Sequence, residues 1–145
     1  ILWCATKATI HGAGILAVAA LLGAVSGWQA LWVLPILFLV GVTFTTPALI
    51  VTALASSYAF FSYYTTLVMM PLMLLSGVFF PITTLPELLQ SILHGLPLVH
   101  AVQLIRPLVA GQPVTDVALH LSVLAAYAVG GYLIAVHLVN RRLRT

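Results

Sequence analysis

The sequence predicts an all-α membrane protein: four transmembrane helices, with a re-entrant helical hairpin on the outer face before the last of them. Three observations carry that prediction. Hydrophobic residues make up 63% of the 145 positions and charged residues 5%, against about 45–50% and about 25% in soluble domains. From Ala8 to Pro86 there is no Asp, Glu, Lys or Arg, a run suited to three spans of about 20 residues joined by tight turns. Period-2 alternation is absent, which argues against a transmembrane β-barrel.

The same numbers exclude several function classes. So few charges cannot clothe a soluble globule, and disorder, coiled coil or collagen would need polar bulk, heptads or glycine periodicity. The single Cys4 permits no internal disulfide. Of the five basic residues, three fall in the final stretch Arg141, Arg142 and Arg144. That is a tail and not a groove-tracking patch, so no nucleic-acid partner is expected. The chain opens Ile-Leu-Trp, without Met or a signal-peptide pattern, and is expected to lack an N-terminal portion.

Turn signals divide the apolar runs. The first span is expected over residues 5–25, closed by Ser26-Gly27-Trp28-Gln29. The second covers 31–54 and is closed by Ala55-Ser56-Ser57-Tyr58. The third covers 60–80 and stops at Pro81. The fourth covers 117–139 and ends at Asn140-Arg141-Arg142-Leu143-Arg144. Pro35, Pro47, Pro71 and Gly41 lie in or near these spans, where neighbouring helices must satisfy the freed backbone groups. Gly23 and Gly27 form one small-xxx-small pair, readable as a helix–helix seam or as ordinary membrane glycine.

An even number of crossings puts both ends of the segment on one side. Lys7, Arg141, Arg142 and Arg144 share that side, which the positive-inside bias makes cytoplasmic. Arg106, Glu87 and Asp116 fall on the other. Trp28 and Trp32 flank the first external turn, where an interfacial aromatic belt belongs.

Residues 81–116 are too long for a tight turn and too apolar for a solvated loop. Thr84-Leu85-Pro86-Glu87 matches a capping box, with Pro86 in the first turn, where its missing N–H costs little. Leu85, Leu88, Leu89, Ile92 and Leu93 then make one apolar stripe, ended by Gly95 and Pro97. About ten residues rise ~15 Å, half a bilayer. A second piece, 98–109, spaces His100, Gln103 and Arg106 three apart on one face. Pro107 is expected to disrupt it, and Gly111-Gln112-Pro113 resets the chain. Irregular backbone at membrane depth must be buried in protein or line a wet cavity, hence a hairpin re-entering from the outer face.

The run Met70-Pro71-Leu72-Met73-Leu74-Leu75-Ser76-Gly77-Val78-Phe79-Phe80-Pro81, followed by Leu85-Pro86 and by Leu96-Pro97-Leu98-Val99-His100-Ala101-Val102-Gln103-Leu104-Ile105-Arg106-Pro107, resembles the C-terminal half of ABC-2 type exporter permeases. It is most similar to the branch of lipo-chitooligosaccharide (nodulation factor) export permeases. Leu2-Trp3 to Lys7 and Ser57-Tyr58-Ala59-Phe60-Phe61-Ser62-Tyr63-Tyr64 resemble the same branch, so the likeness covers essentially the whole chain. It implies a six-span subunit of which these are spans three to six. It also implies two external re-entrant helices before the last span, a second permease copy, and ATP-hydrolysing subunits on the cytoplasmic face of a bacterial inner membrane.

The chemistry the residues carry is consistent with a conduit driven from outside. No Gly-x-x-x-x-Gly-Lys-Ser/Thr occurs, since the only lysine is Lys7, so no cofactor is expected here and ATP would bind the partner subunit. An ion-coupled carrier would need an ionisable residue near the midplane, where each charge costs roughly 2.5–3.5 kcal/mol; the spans hold no Asp, Glu, Lys or Arg there. No His-Glu-x-x-His is present. His94, His100 and His120 share the outer side, either as interfacial histidines or as a weak metal cluster. Ser76 with His100 is the one nucleophile–base pairing that topology allows, and no enzymatic activity is expected.

His100, Gln103 and Arg106 are the candidate external gate or substrate path, with Glu87 read as the cap of its own helix or as part of that gate. Tyr58, Phe61 and Tyr64, within the aromatic cluster Tyr58–Tyr64, are candidate contacts for the ATPase or for an amphiphilic cargo; interface anchoring is the other reading. Met69, Met70 and Met73 read as a pliable wall or as packing. The expected function is export of an amphiphilic lipo-oligosaccharide or polysaccharide-type substrate. The alternatives are drug efflux within the same superfamily, or an ion-coupled secondary carrier.

Overall fold

The computed structural model describes residues 1–55, 57–76 and 87–143. Those residues are mostly helical, with no strand among them. In chain order they form α1 (Leu2–Leu21), a 3₁₀ turn (Trp28–Trp32), α2 (Val33–Leu54), α3 (Tyr58–Tyr64), a π turn (Thr65–Met69), α4 (Met70–Leu75), α5 (Glu87–Leu93), α6 (Pro97–Val109) and α7 (Val117–Leu143). Among the described residues, three stretches are long and apolar enough to cross a membrane: Leu2–Leu21, Trp28–Leu54 and Val117–Arg141. The expected third span is represented by the apolar helix Ala59–Leu75; the rest of it, with the Thr84–Glu87 capping box, lies outside the described residues.

The first span starts and stops earlier than 5–25. Gly23 adopts φ +74°, a conformation that costs glycine little. Its N–H bonds Ala20 O at 3.0 Å and the Ala24 N–H bonds Ala19 O at 2.9 Å. This is a Schellman cap, which absorbs the last carbonyls and turns the chain. Gly23 is therefore a stop signal and not part of a seam.

Prolines inside the helices are accommodated one by one. Pro47 has no N–H to offer the Thr43 carbonyl four residues earlier, and the Thr46 hydroxyl takes its place at 3.0 Å. Ahead of Pro71 the backbone widens into the π turn, closed by the Met70 N–H on Thr65 O, where an α-helical carbonyl at Leu67 would meet the proline ring. Pro97 opens α6 at its first position. Pro107 does not disrupt α6 as expected. It sits in the last turn, and the helix ends two residues later in a second Schellman cap at Gly111 (φ +68°), with Gln112 N–H on Pro107 O at 2.8 Å.

Helix packing rests on small residues. α1 lies along α2 with Gly41 against Ala5: a Cβ added at Gly41 would stand 2.9 Å from Ala5 Cα and 3.2 Å from Ala8 Cβ. α7 faces α2 through Leu124, Ala128, Gly131 and Ala135, one stripe of helical spacing. Gly131 meets the Thr46 side chain so closely that no Cβ fits. The Thr43 hydroxyl is shared between Leu39 O of its own helix (2.9 Å) and Leu124 O of α7 (3.1 Å). Between membrane helices, such close backbone approach and interhelical bonding replace the hydrophobic drive available in water. α6 lies against α2 and α7, where Ala101 and Leu104 join Ile36 and Leu124 in a buried cluster.

Candidate functional site

α6 carries the polar stripe read from the sequence, and its His100 enters the bundle. Its buried side is Val99, His100, Ala101 and Leu104. Residues spaced by three drift around a helix of 3.6 residues per turn, so the polar stripe winds: His100 is 4% exposed, Gln103 is half-buried and Arg106 is exposed. His100 thus faces the protein while Arg106 faces outward. The three do not converge on one point.

His100 meets His120, four residues into α7, with Nδ1 to Nδ1 at 2.7 Å and ring centroids 5.0 Å apart. Its other nitrogen, Nε2, lies 2.8 Å from the His94 carbonyl. A carbonyl only accepts, so Nε2 carries the hydrogen and the neutral His100 ring presents a lone pair at Nδ1. His120 must then donate its Nδ1–H. The pair is complete when neutral, with His120 donating and His100 accepting across the shared bond.

This pairing joins the α5–α6 corner to the last long helix at two depths. One turn below Leu124, the Tyr127 hydroxyl donates to Gly95 O at 2.8 Å. Leu93, 3% exposed, seals the corner, whereas Ile92 of the expected apolar stripe is 57% exposed. Asp116 precedes α7 with φ +52°, and its carbonyl accepts the His120 N–H at 3.1 Å; short polar side chains tolerate that backbone. Glu87 stands exposed in the first turn of α5.

The other sequence candidates separate. His94 contributes its carbonyl, and no three His, Cys, Asp or Glu side chains converge among the described residues. The Ser76 hydroxyl donates to Met73 O at 2.8 Å in its own helix. Phe61 and Tyr64 pair with ring centroids 6.4 Å apart, Phe61 being exposed and Tyr64 half-buried; the Tyr58 side chain lies outside the described residues. Tyr64 lines a cavity of about 500 Å³ between α2, the π turn with α4, and α7. The sequence does not announce this cavity, and it groups His100 with His120 on the outer side without showing that they bond to each other. Pro71, which calls for the π turn, and the adjacent Gly130-Gly131 were the available signals.

Residues 5–110 match the model of the family described as ABC-2 type transporter. The chain belongs to the ABC-2 type transporter family. Among ABC-2 relatives, it is 45% identical over 141 residues to Nodulation protein J of Rhizobium leguminosarum bv. viciae, covering 97% of this chain and 54% of that protein. To Nodulation protein J of Rhizobium meliloti it is 44% identical over the same shares, and to that of Bradyrhizobium diazoefficiens 36% identical over 99% of this chain and 55% of the relative. The chain thus spans about half the length of the curated relatives it matches. No solved structure matches it. Its long apolar helices are those of a multi-pass ABC-2 membrane protein.

Proposed function

We propose that this chain is the membrane path of an ATP-driven exporter that moves an amphiphilic lipo-oligosaccharide or polysaccharide-type substrate out of the cytoplasm. The observation that carries the reading is the ABC-2 family match, joined by relatives named Nodulation protein J along nearly the whole chain. The composition supports it, because residues 8–86 hold no Asp, Glu, Lys or Arg to couple an ion gradient. Energy then comes from a separate ATPase subunit, and a second permease copy completes the path.

In this reading Lys7 and Arg141 mark the cytoplasmic side and Glu87 and Asp116 the outer one, so four crossings bracket α5 and α6. The α5–α6 corner enters from outside, and its attachment to α7 through His100–His120 and Tyr127–Gly95 holds the outer mouth closed at rest. Gln103 and Arg106, higher on α6, face what leaves. Affinity purification of the full-length permease from its native membrane tests the core of this: an ATP-binding cassette ATPase is expected in stoichiometric amount. Export that persists without any such subunit would refute the reading.

A further inference from the structure

We propose that the cavity between α2, the π turn and α7 holds the acyl chain of the transported amphiphile, a deepening that rests on the exporter reading above. Its lining is predominantly apolar. Thr43, Thr46 and Tyr127 line it with hydroxyls that already donate to backbone carbonyls, and the other hydroxyl-bearing residue of the wall is Tyr64. The remaining wall is aliphatic or aromatic, including Phe44, Ile50, Val68 and Leu72. A water inside would find too few partners to stay, whereas an alkyl chain brings no polar group that needs one. The volume, about 500 Å³, lies within the roughly 300–1,000 Å³ of small-molecule sites.

Two local features hold the space open. The π turn widens the helix wall carrying Val68 and Met69, and π turns recur at functional sites. On α7 the opposing residues are glycines. Gly131 is fixed by contact with Thr46, but a Cβ added at Gly130 would meet nothing within 4 Å. Packing against α2 therefore explains the first glycine and not the second, and the void beside Gly130 belongs to the cavity.

The ends of the cavity orient its occupant. Pro97 and Tyr127 line one end, at the α5–α6 corner that Tyr127 grips through Gly95. Tyr64, paired with Phe61, stands at the other. The chain's methyl end lies against the corner and its polar head beside the Tyr64–Phe61 pair, on the cytoplasmic side of the proposed topology. A bound tail thus presses from below on the element that closes the outer mouth.

The test uses the full-length permease with its ATPase in native membranes and a hexadecanoyl chitooligosaccharide bearing a mid-chain diazirine. Saturable labelling of Met69–Leu72 or Ala126–Ile134 is expected. Gly130→Phe, which fills the void where a Cβ fits, and Met69→Trp, which fills it from the opposite wall, should each lower that labelling about tenfold, a loss of ~1.4 kcal/mol in binding. Gly130→Ala should keep it. Labelling unchanged by both filling variants would overturn the proposal. Competition by excess phosphatidylcholine would overturn it too, assigning the cavity to a bilayer lipid. Export measured on the same membranes separates the two levels: export without labelling here defeats the cavity, and labelling without export defeats the exporter reading.

Discussion

His100→Phe keeps a ring of similar size at a position 4% exposed, but removes both of its nitrogen contacts. His120 Nδ1–H and the His94 carbonyl then lose their partners, at about 1–3 kcal/mol for the buried His120 group and less for the carbonyl of the exposed His94. His120→Phe strands only the His100 Nδ1 lone pair and should cost about 1–2 kcal/mol. The double variant removes both sides of the shared bond, while the His94 carbonyl stays unpaired as in the first single variant. The double-mutant cycle therefore isolates His100–His120 from His94. Interhelical polar contacts in membranes average ~0.6 kcal/mol and reach ~1.7. A buried 2.7 Å contact belongs near the upper end, so a coupling of about 1.5 kcal/mol is expected. Reversible unfolding of the four proteins in mixed micelles measures it. A coupling below about 0.4 kcal/mol, within ordinary additivity, would refute the claim that these histidines fasten α6 to α7.

Three further outcomes follow from the packing and the topology. Gly41→Ala should destabilise the fold by about 1–2 kcal/mol, because overpacking against Ala5 costs about 1–3 kcal/mol and exceeds the helix-propensity gain of up to ~1; Gly130→Ala, with open space at its Cβ, should be neutral or stabilising in the same unfolding assay. Cysteines placed at Glu87 and Asp116 should react with impermeant maleimide from the periplasm and one at Arg141 only after permeabilisation; the reverse pattern would invert the topology. Arg106→Ala, on the exposed side of α6, should lower export several-fold with membrane insertion unchanged, read by fractionation beside transport; parallel loss of both would make Arg106 structural.

The long helices were legible because a bilayer imposes a length and a composition that few other environments require. The helix ends were legible in part. Gly23 stops α1 by a positive φ, and a glycine's conformation is not written in its identity, so the later Ser26-Gly27 competed for the same role. Pro107 was misleading for a related reason. A proline in the last turn forfeits one bond that the Gly111 cap makes affordable, whereas the same residue mid-helix would break it. The candidate site was legible in its residues but not in its assembly. Spacing by three places His100, Gln103 and Arg106 near one another on α6, yet only the rotation of α6 against α7 decides that His100 turns inward to His120. Likewise Gly41 and Gly131 are visible in the sequence, but the partners that require them, Ala5 and Thr46, come from helix pairing. The cavity depends on three helices at once, and so no local pattern announces it.

The most direct measurement is translocation by the full-length permease and its ATPase reconstituted in sealed, inside-out vesicles. An acylated chitooligosaccharide should accumulate in the lumen only with hydrolysable ATP, and His100–His120 or Gly130→Phe variants should slow it without abolishing assembly. Accumulation that ignores ATP and instead follows an imposed proton or sodium gradient would contradict the exporter reading.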